Sequence, residues 1–145
     1  MPTTSVRAGH KQIRTLAMSQ NTIPPARIGD FFTRVLPGEL AGVFTYPRKA
    51  LACGPGSLVL FQYAAAIRAH AILDHIKDDV VVDEGGVAWP GAYVFVPESI
   101  HYLGTPIYLE ELRTVAPNIR VFGQASHTID LIRWDEVMGL LARHA

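Results

Sequence analysis

Residue types that carry catalysis or bind metals do not combine into a known motif in this sequence. The turn Gly54-Pro55-Gly56 lacks the later glycine, lysine and serine or threonine of a phosphate-binding loop. No serine lies in a nucleophile elbow, and the single Cys53 excludes a paired-cysteine metal site. His70 and His75 are five residues apart, a spacing that separates two ligands on a strand or a helix. We therefore expect no catalytic residue, no metal site and no cofactor.

Aromatic residues beside polar loop residues form the pattern that stands out. An exposed aromatic face next to hydrogen-bond donors and acceptors can stack a nucleobase and read its edge. Trp89 lies between Gly85-Gly86 and Pro90-Gly91, so its ring either lines a cavity or closes one end of the core. Phe61 and Phe95 lie within apolar runs and are expected in the core. The aromatic residues of the pattern are Phe44, Tyr46, Phe61, Tyr63, Trp89, Tyr93, Tyr102, Tyr108 and Phe122.

Length and composition describe one folded domain. The chain has 145 residues, of which 49% are hydrophobic and 18% charged, enough to bury a core without a metal or a disulfide. Residues 1–11 have no hydrophobic period and are predicted to be a flexible N-terminal tail. The single domain is predicted to span residues 12–145.

The net charge of zero is the sum of two opposite halves. Residues 1–77 contain nine Lys and Arg against three Asp and Glu, a net charge of +6, and residues 78–145 contain four against ten, a net charge of −6. A zero net charge argues against strong non-specific binding of nucleic acid, whereas the asymmetry indicates contact with a polyanion.

Targeting signals are not found in the sequence. The longest apolar run, Leu58 to Ile67, is interrupted by Gln62 and is shorter than the ~18 residues of a membrane-spanning helix. The segment from Met1 to Arg14 lacks the apolar stretch of a secretory signal. We expect a cytoplasmic protein with no membrane partner.

Periodicity in the first part of the chain predicts strands around one helix. A strand begins at Ile13 and ends in a polar group at residues 19–21. An amphipathic helix starts at Pro24-Pro25 and is ended by Pro37-Gly38. Residues 39–57 look irregular.

A hairpin and shorter elements follow. The apolar run Ser57 to Tyr63 predicts a strand buried on both faces, and Ala64 to Leu73 favours a second strand, although its propensities also permit a helix. A further strand is predicted at Ala92 to Val96, a short helix at 109–115 and an extended segment at 120–124. The last helix begins after Thr128 or Asp130 and ends at Arg143-His144.

The order of these segments resembles the PUA-like superfamily, in particular its EVE, ASCH and YTH-related branches. The resemblance is carried by the strand ending in Ser19-Gln20-Asn21, by Tyr46-Pro47-Arg48-Lys49, by the run from Gly54 to Tyr63, and by Ala69 and Ala71 in the next strand. It covers roughly residues 13–130. It implies an α+β domain in which a small, partly closed β-barrel is flanked by short helices.

The same resemblance implies a nucleic-acid-binding module whose concave site binds a modified or flipped nucleobase in RNA or DNA. The catalytic Gly-x-Lys-x-x-Glu signature of ASCH members is absent, and Trp89 and Trp134 do not reproduce the tryptophan cage of YTH readers. The base-binding residues are predicted to be Ser19, Gln20, Asn21, Tyr46, Trp89 and Tyr93. The phosphate-binding residues are predicted to be Arg14, Arg27, Arg48, Lys49 and Arg68.

Two alternatives stay open at this point. A small hydrolase acting on a modified nucleoside would need a general base, and His70, His101 or Asp30 are candidates by residue type. A homodimeric interaction domain would associate through exposed strand edges or through the last helix, whose apolar stripe includes Trp134 and Leu141.

Overall fold

A computed structural model describes residues 10–46, 51–123 and 126–145, which form a mixed α+β domain. The prediction of an α+β class is therefore confirmed. The predicted tail lies mostly outside the described residues, as do positions 47–50 and 124–125. No helix in the described residues combines the length and apolar character needed to cross a bilayer.

Within the described residues, nine strands build a large sheet and a separate hairpin. In the large sheet the strand order is β2-β7-β4-β3-β1-β9, with β8 also paired to β4, while β5 and β6 pair only with each other. The strands are β1 (Ile13–Ala17), β2 (Val43–Tyr46), β3 (Leu58–Tyr63), β4 (Ala66–Lys77), β5 (Val81–Val82), β6 (Ala88–Trp89), β7 (Gly91–Phe95), β8 (His101–Tyr108) and β9 (Thr128–Ile129).

The β3–β4 hairpin is the centre of the sheet, as the apolar run predicted. All six residues of β3 are buried, because β1 and β4 flank the strand and helices cover both faces of the sheet. The chain reverses through Ala64 and Ala65, which have positive φ angles of 52° and 60°. Two consecutive left-handed residues form the mirror-image turn whose twist matches that of a hairpin.

Strand β4 pairs with two different partners along one edge. Its first half pairs with β8, from Ala66 opposite Tyr108 to His70 opposite His101, and its second half pairs with β7. Register shifts interrupt both pairings. Bulges of this kind bend a strand and increase its twist, which lets one strand contribute to two sheet segments.

The strand pairings leave the large sheet open. Strands β2 and β9 stand at opposite ends of the strand order, and no ladder among the described residues joins them. The partial closure into a barrel that the resemblance predicts is not confirmed by these ladders.

In the part of the chain that the structure describes, three helices pack on the sheet. Helix α1 (residues 25–39) is continuous but changes its winding, from the 3-10 turn Pro25–Arg27 through Ile28–Asp30 to the π-helical stretch Phe31–Glu39. Helix α2 is Leu109–Leu112, and helix α3 is Trp134–Arg143, preceded by a 3-10 turn.

The predicted end of the first helix at Pro37-Gly38 is wrong, because α1 continues to Glu39. A proline in an α-helix removes one hydrogen bond and collides with the preceding turn. Here the wider π-helical turn accommodates Pro37, and the Leu40 amide donates to the Val35 carbonyl five residues earlier at 2.8 Å. The predicted last helix is confirmed, with the Asp130 side chain accepting from the Ile132 amide at its start.

Among the strands of four or more residues that the structure describes, two were not predicted by the sequence patterns. Residues 43–46, expected to be irregular, form β2 at the edge of the sheet. The second is β8, which contains Pro106. Residues 103–106 of this strand form a bulge, because they lie opposite the single residue Arg68 of β4. Proline is tolerated at such a bulge because its missing N–H breaks no ladder bond there. The segment 120–123, expected to be extended, forms no strand.

Apolar side chains form two cores, one on each face of the sheet. Alternate residues of β3 point to opposite faces, so Leu58 and Leu60 join one core while Val59 and Phe61 join the other. The α3-side core includes the buried residues of α2 and α3, namely Leu112, Val137, Leu140 and Leu141. The α1-side core includes those of α1, namely Ile28, Phe32 and Leu36.

The left-handed turn between β3 and β4 predicts an unusual response to glycine. A Cβ atom disfavours the left-handed conformation by about 1–2 kcal/mol. Glycine removes this penalty, but it also gives the unfolded chain more conformational freedom, which offsets part of the gain in stability. We expect Ala65→Gly to raise the free energy of unfolding by about 1 kcal/mol in urea denaturation. The same change at the exposed Ala142 of α3 should lower it by about 1 kcal/mol. A loss of stability in Ala65→Gly would contradict the strained turn.

Candidate functional site

A polar cavity lies where β1 and β3 end. These neighbouring strands run parallel, with Ala17 opposite Gln62, so their carboxyl ends meet at the same edge of the sheet. The cavity has a volume of about 340 Å³. Its lining residues are Ala17, Met18, Ser19, Gln20, Asn21, Gln62, Ala64, Ala65 and Gly123. The structure thus brings the predicted Ser19, Gln20 and Asn21 together at one concave surface.

Hydrogen bonds hold the loop that follows β1 in a turn. The Ser19 hydroxyl accepts from the Asn21 amide at 3.0 Å, and the Ser19 carbonyl accepts from the Thr22 amide at 3.1 Å. The Tyr63 hydroxyl donates to the carbonyl of Ile23, which ties the loop to the end of β3. Because these bonds use the backbone and the serine hydroxyl, the exposed side chains of Gln20 and Asn21 face solvent at the cavity.

Gln62 supplies a buried amide to the same cavity. Its side chain is 7% exposed, and its Nε2 donates to the carbonyl of Gly123 at 3.0 Å. Its Oε1 is buried and has no hydrogen-bond partner among the described residues. A buried acceptor without a donor is unfavourable by ~1–3 kcal/mol, so such an atom marks a place where a ligand donor is favoured. Sequence reasoning missed this residue, although its signal was visible as the one polar residue in the run Leu58 to Ile67.

Two of the predicted base-binding aromatics lie in the α1-side core and do not line the cavity. Tyr46 is 4% and Tyr93 is 3% exposed, and their ring centroids are 5.2 Å apart. The Tyr46 hydroxyl donates to Asp78 Oδ1 at 3.2 Å, and the Tyr93 hydroxyl accepts from the Leu51 amide at 2.9 Å. Burial raises the pKa of both phenols.

The third predicted aromatic, Trp89, stabilises the β5–β6 hairpin. Its Nε1 donates to Asp83 Oδ2 at 2.9 Å, and the Val87 amide donates to the other oxygen of the same carboxylate. The Trp89 and Val87 bonds lower the pKa of Asp83. Trp89 is half-buried in this arrangement and is not among the residues that line the cavity.

The predicted phosphate-binding residues are distributed over several elements. Arg14 on β1 is partly buried and donates to Gln12 Oε1 at 3.1 Å and to Ser126 Oγ at 3.2 Å. Arg27 is exposed at the start of α1, in the segment that follows the cavity loop. Arg68 on β4 donates to the Tyr102 hydroxyl at 2.7 Å. Arg48 and Lys49 lie outside the described residues.

The candidate general bases do not meet at the cavity. Asp30 is on α1, where Arg34 lowers its pKa by a hydrogen bond at 2.9 Å. His70 and His101 face each other across β4 and β8, with ring centroids 5.2 Å apart. Cys53 is buried, and burial raises the pKa of its thiol, which disfavours the nucleophilic thiolate. Within the described ranges, no three His, Cys, Asp or Glu side chains are grouped as metal ligands.

Comparisons with known proteins identify the fold alone. No family model matches the sequence, and no curated protein matches it. Among solved structures, the NMR structure of Rpa0253 from Rhodopseudomonas palustris is similar with a TM-score of 0.54 at 10% sequence identity. The similarity covers 92% of this chain and 95% of that chain. At this identity the likeness extends to the arrangement of the elements over almost the whole domain.

The half-buried His70 predicts a loss of stability in acid. Burial, and secondarily the neighbouring His101, lowers the pKa of His70 from 6.5 to about 4. Between these values the unfolded chain binds a proton that the folded chain does not, so stability falls as the pH falls from 6.5 to about 4. Because the side chain is partly exposed, we expect His70 to contribute about 2 kcal/mol of this loss.

Urea denaturation at several pH values tests this linkage. His70→Gln should lose less stability than the wild type between neutral pH and pH 4, whatever its stability at neutral pH. His10→Gln, at an exposed histidine near the start of the described residues, is the matched control and should keep the wild-type slope. If the stability of His70→Gln and of the wild type falls equally with pH, His70 has the same pKa in the folded and unfolded states, which would contradict the prediction.

Proposed function

We propose that the cavity at the ends of β1 and β3 binds a nucleobase taken out of its stack in RNA or DNA, modified bases included. The protein would then act as a nucleic-acid-binding module. The observation that carries this proposal is the convergence of Ser19, Gln20 and Asn21 with the buried amide of Gln62 on one cavity.

The chemistry of the lining fits the edge of a base. Side-chain amides both donate and accept hydrogen bonds, as base edges do, and the lining carries three of them at Gln20, Asn21 and Gln62. The volume of about 340 Å³ lies at the small end of the range for ligand sites, which suits a single ring system. The described lining contains no carboxylate and no imidazole, so this cavity supports binding more directly than proton transfer.

Apolar contacts to the faces of the base would come from the cavity itself. Met18 and the methyl groups of Ala64 and Ala65 line it. A thioether packs favourably on an aromatic ring, and small methyl groups allow a flat ligand to approach the backbone. In this proposal Tyr46, Trp89 and Tyr93, which do not line the cavity, make no contact with the base.

The charge distribution supports contact with a phosphate backbone. Every lining residue except Gly123 belongs to the first 77 residues, the half with a net charge of +6. Arg27 follows the cavity loop, and Arg68 follows the Ala64-Ala65 turn by three residues. Arginine contacts to phosphate position a nucleic acid without reading its sequence.

The resemblance to the PUA-like superfamily, with its EVE, ASCH and YTH-related branches, is part of the same proposal. The partly closed barrel of that superfamily would require curvature of the sheet around β4, where two register shifts already bend the ladder. Curvature around β4 would place the carboxyl ends of β1 and β3 on a concave surface.

Fluorescence anisotropy with short single-stranded oligonucleotides tests the proposed function. The set contains unmodified, methylated and hydroxymethylated bases in RNA and DNA, and binding should strengthen as salt is lowered. The double change Gln20→Ala and Asn21→Ala should weaken binding about tenfold, the effect of losing one or two hydrogen bonds. Arg27→Gln should weaken binding and reduce its salt dependence.

Matched controls remove the same chemical groups elsewhere. Asn118→Ala deletes an exposed amide that bonds to the Thr128 carbonyl, and Arg143→Gln deletes an exposed charge on α3. Both should leave the affinity unchanged. Absence of binding by the wild type to every oligonucleotide at low salt would refute the proposed function.

A further inference from the structure

We propose that the amide oxygen of Gln62 makes the cavity select ring ligands that carry an amino group over those that carry a carbonyl at the same position. This inference rests on the proposed function and names the class of base that the site prefers. It makes Gln62 a specificity-determining residue.

The orientation of the Gln62 amide is set by its bond to Gly123. The carbonyl of Gly123 can only accept, so the nitrogen of the amide must face it, at 3.0 Å. The oxygen therefore occupies the other position of the amide and can act only as an acceptor. The two ends of a glutamine amide are otherwise interchangeable, and this bond distinguishes them.

Burial turns that acceptor into a selective group. Gln62 is 7% exposed, it lines the cavity, and its Oε1 has no donor within the part of the chain that the structure describes. A buried acceptor that lacks a donor gains most from a ligand N–H and loses most when it faces another oxygen. Discrimination between groups that donate and groups that accept is strongest at a buried polar atom of this kind.

The exposed amides of the cavity have less power to discriminate. Gln20 and Asn21 are exposed, so each can rotate and present either end of its amide. The Gln62 side chain is held by its bond to the Gly123 carbonyl, and its backbone carbonyl accepts from the Met18 amide at 2.8 Å, which holds the strand that carries it. The selection between cytosine and uracil, or between adenine and hypoxanthine, is therefore assigned to Gln62, since each pair exchanges an amino group for a carbonyl.

Anisotropy with short oligothymidylates that carry one variable central base tests this inference. We expect cytosine to be bound roughly tenfold more tightly than uracil at that position, and adenine more tightly than hypoxanthine. Dimethylation of the cytosine amino group removes both N–H donors and should reduce the affinity to that of uracil, whereas monomethylation should not.

Two variants connect the preference to the residue. Gln62→Met keeps the length and apolar stem but removes the acceptor, so the preference for cytosine over uracil should disappear. Gln62→Glu, measured at a pH low enough to protonate the buried carboxyl, keeps a donor for the Gly123 carbonyl as well as an acceptor, and should retain the preference. If Gln62→Met does not fold, the side-chain amide signal of Gln62 in the wild type provides the readout, because at saturation it should shift more with cytosine than with dimethylcytosine, and equal shifts would contradict the role of Gln62.

The outcomes separate this inference from the proposed function. Wild type that binds no oligonucleotide overturns the proposed function. Wild type that binds but ranks cytosine and uracil equally, or Gln62→Met that keeps the wild-type preference, overturns the role of Gln62 alone. An amide signal that ignores both ligands while binding occurs also overturns it.

Discussion

Burial of β3 on both faces is the constraint on which the rest of the structure depends. Its alternating side chains enter two different cores, so the strand requires helices on each side of the sheet. Each large side chain buried in this way stabilises the fold by about 2 kcal/mol. The strand also requires a partner on both edges, which β1 and β4 provide. Because β1 runs parallel to β3, the two carboxyl ends meet at one edge, and the cavity follows from that direction.

The burial of β3 also explains why the side-chain amide of Gln62 has a defined position in the cavity. Gln62 is carried on a buried strand, so its amide cannot be solvated as those of Gln20 and Asn21 are. A register shift follows Phe61, and a left-handed pair of alanines follows Tyr63. Strain and an unsatisfied polar group thus occur within four residues, a combination that is typical of functional sites and is unfavourable elsewhere.

Sequence patterns predicted the elements whose signals are local. The apolar run predicted β3, the polar group at residues 19–21 predicted the end of β1, and the last helix was predicted to begin after Thr128 or Asp130, of which Asp130 accepts from the Ile132 amide. The patterns missed elements that depend on distant partners. Strand β2 exists because β7 pairs with it, and Pro106 is tolerated because a bulge frees it from the ladder.

Tyr46 and Tyr93 have hydroxyl groups suited to a binding site, but bonds to Asp78 and to the Leu51 amide satisfy them at the edge of a core. The pairing of Gln62 with Gly123 joins residues far apart in the chain, which no local pattern reveals.

Under the proposed function, affinity and selectivity arise from separate parts of the molecule. Long-range attraction would come from the basic half, and the equal acidic half keeps the net charge at zero, which limits binding to polyanions in general. Selectivity would come from a single buried oxygen, whose effect is independent of salt because it acts on an uncharged group at short range. A protein organised in this way binds weakly to most nucleic acids and recognises the few in which a suitable base is already free of its stack. The separation follows from placing an uncharged polar residue on a strand that is buried throughout, while a charged residue such as Arg27 is exposed.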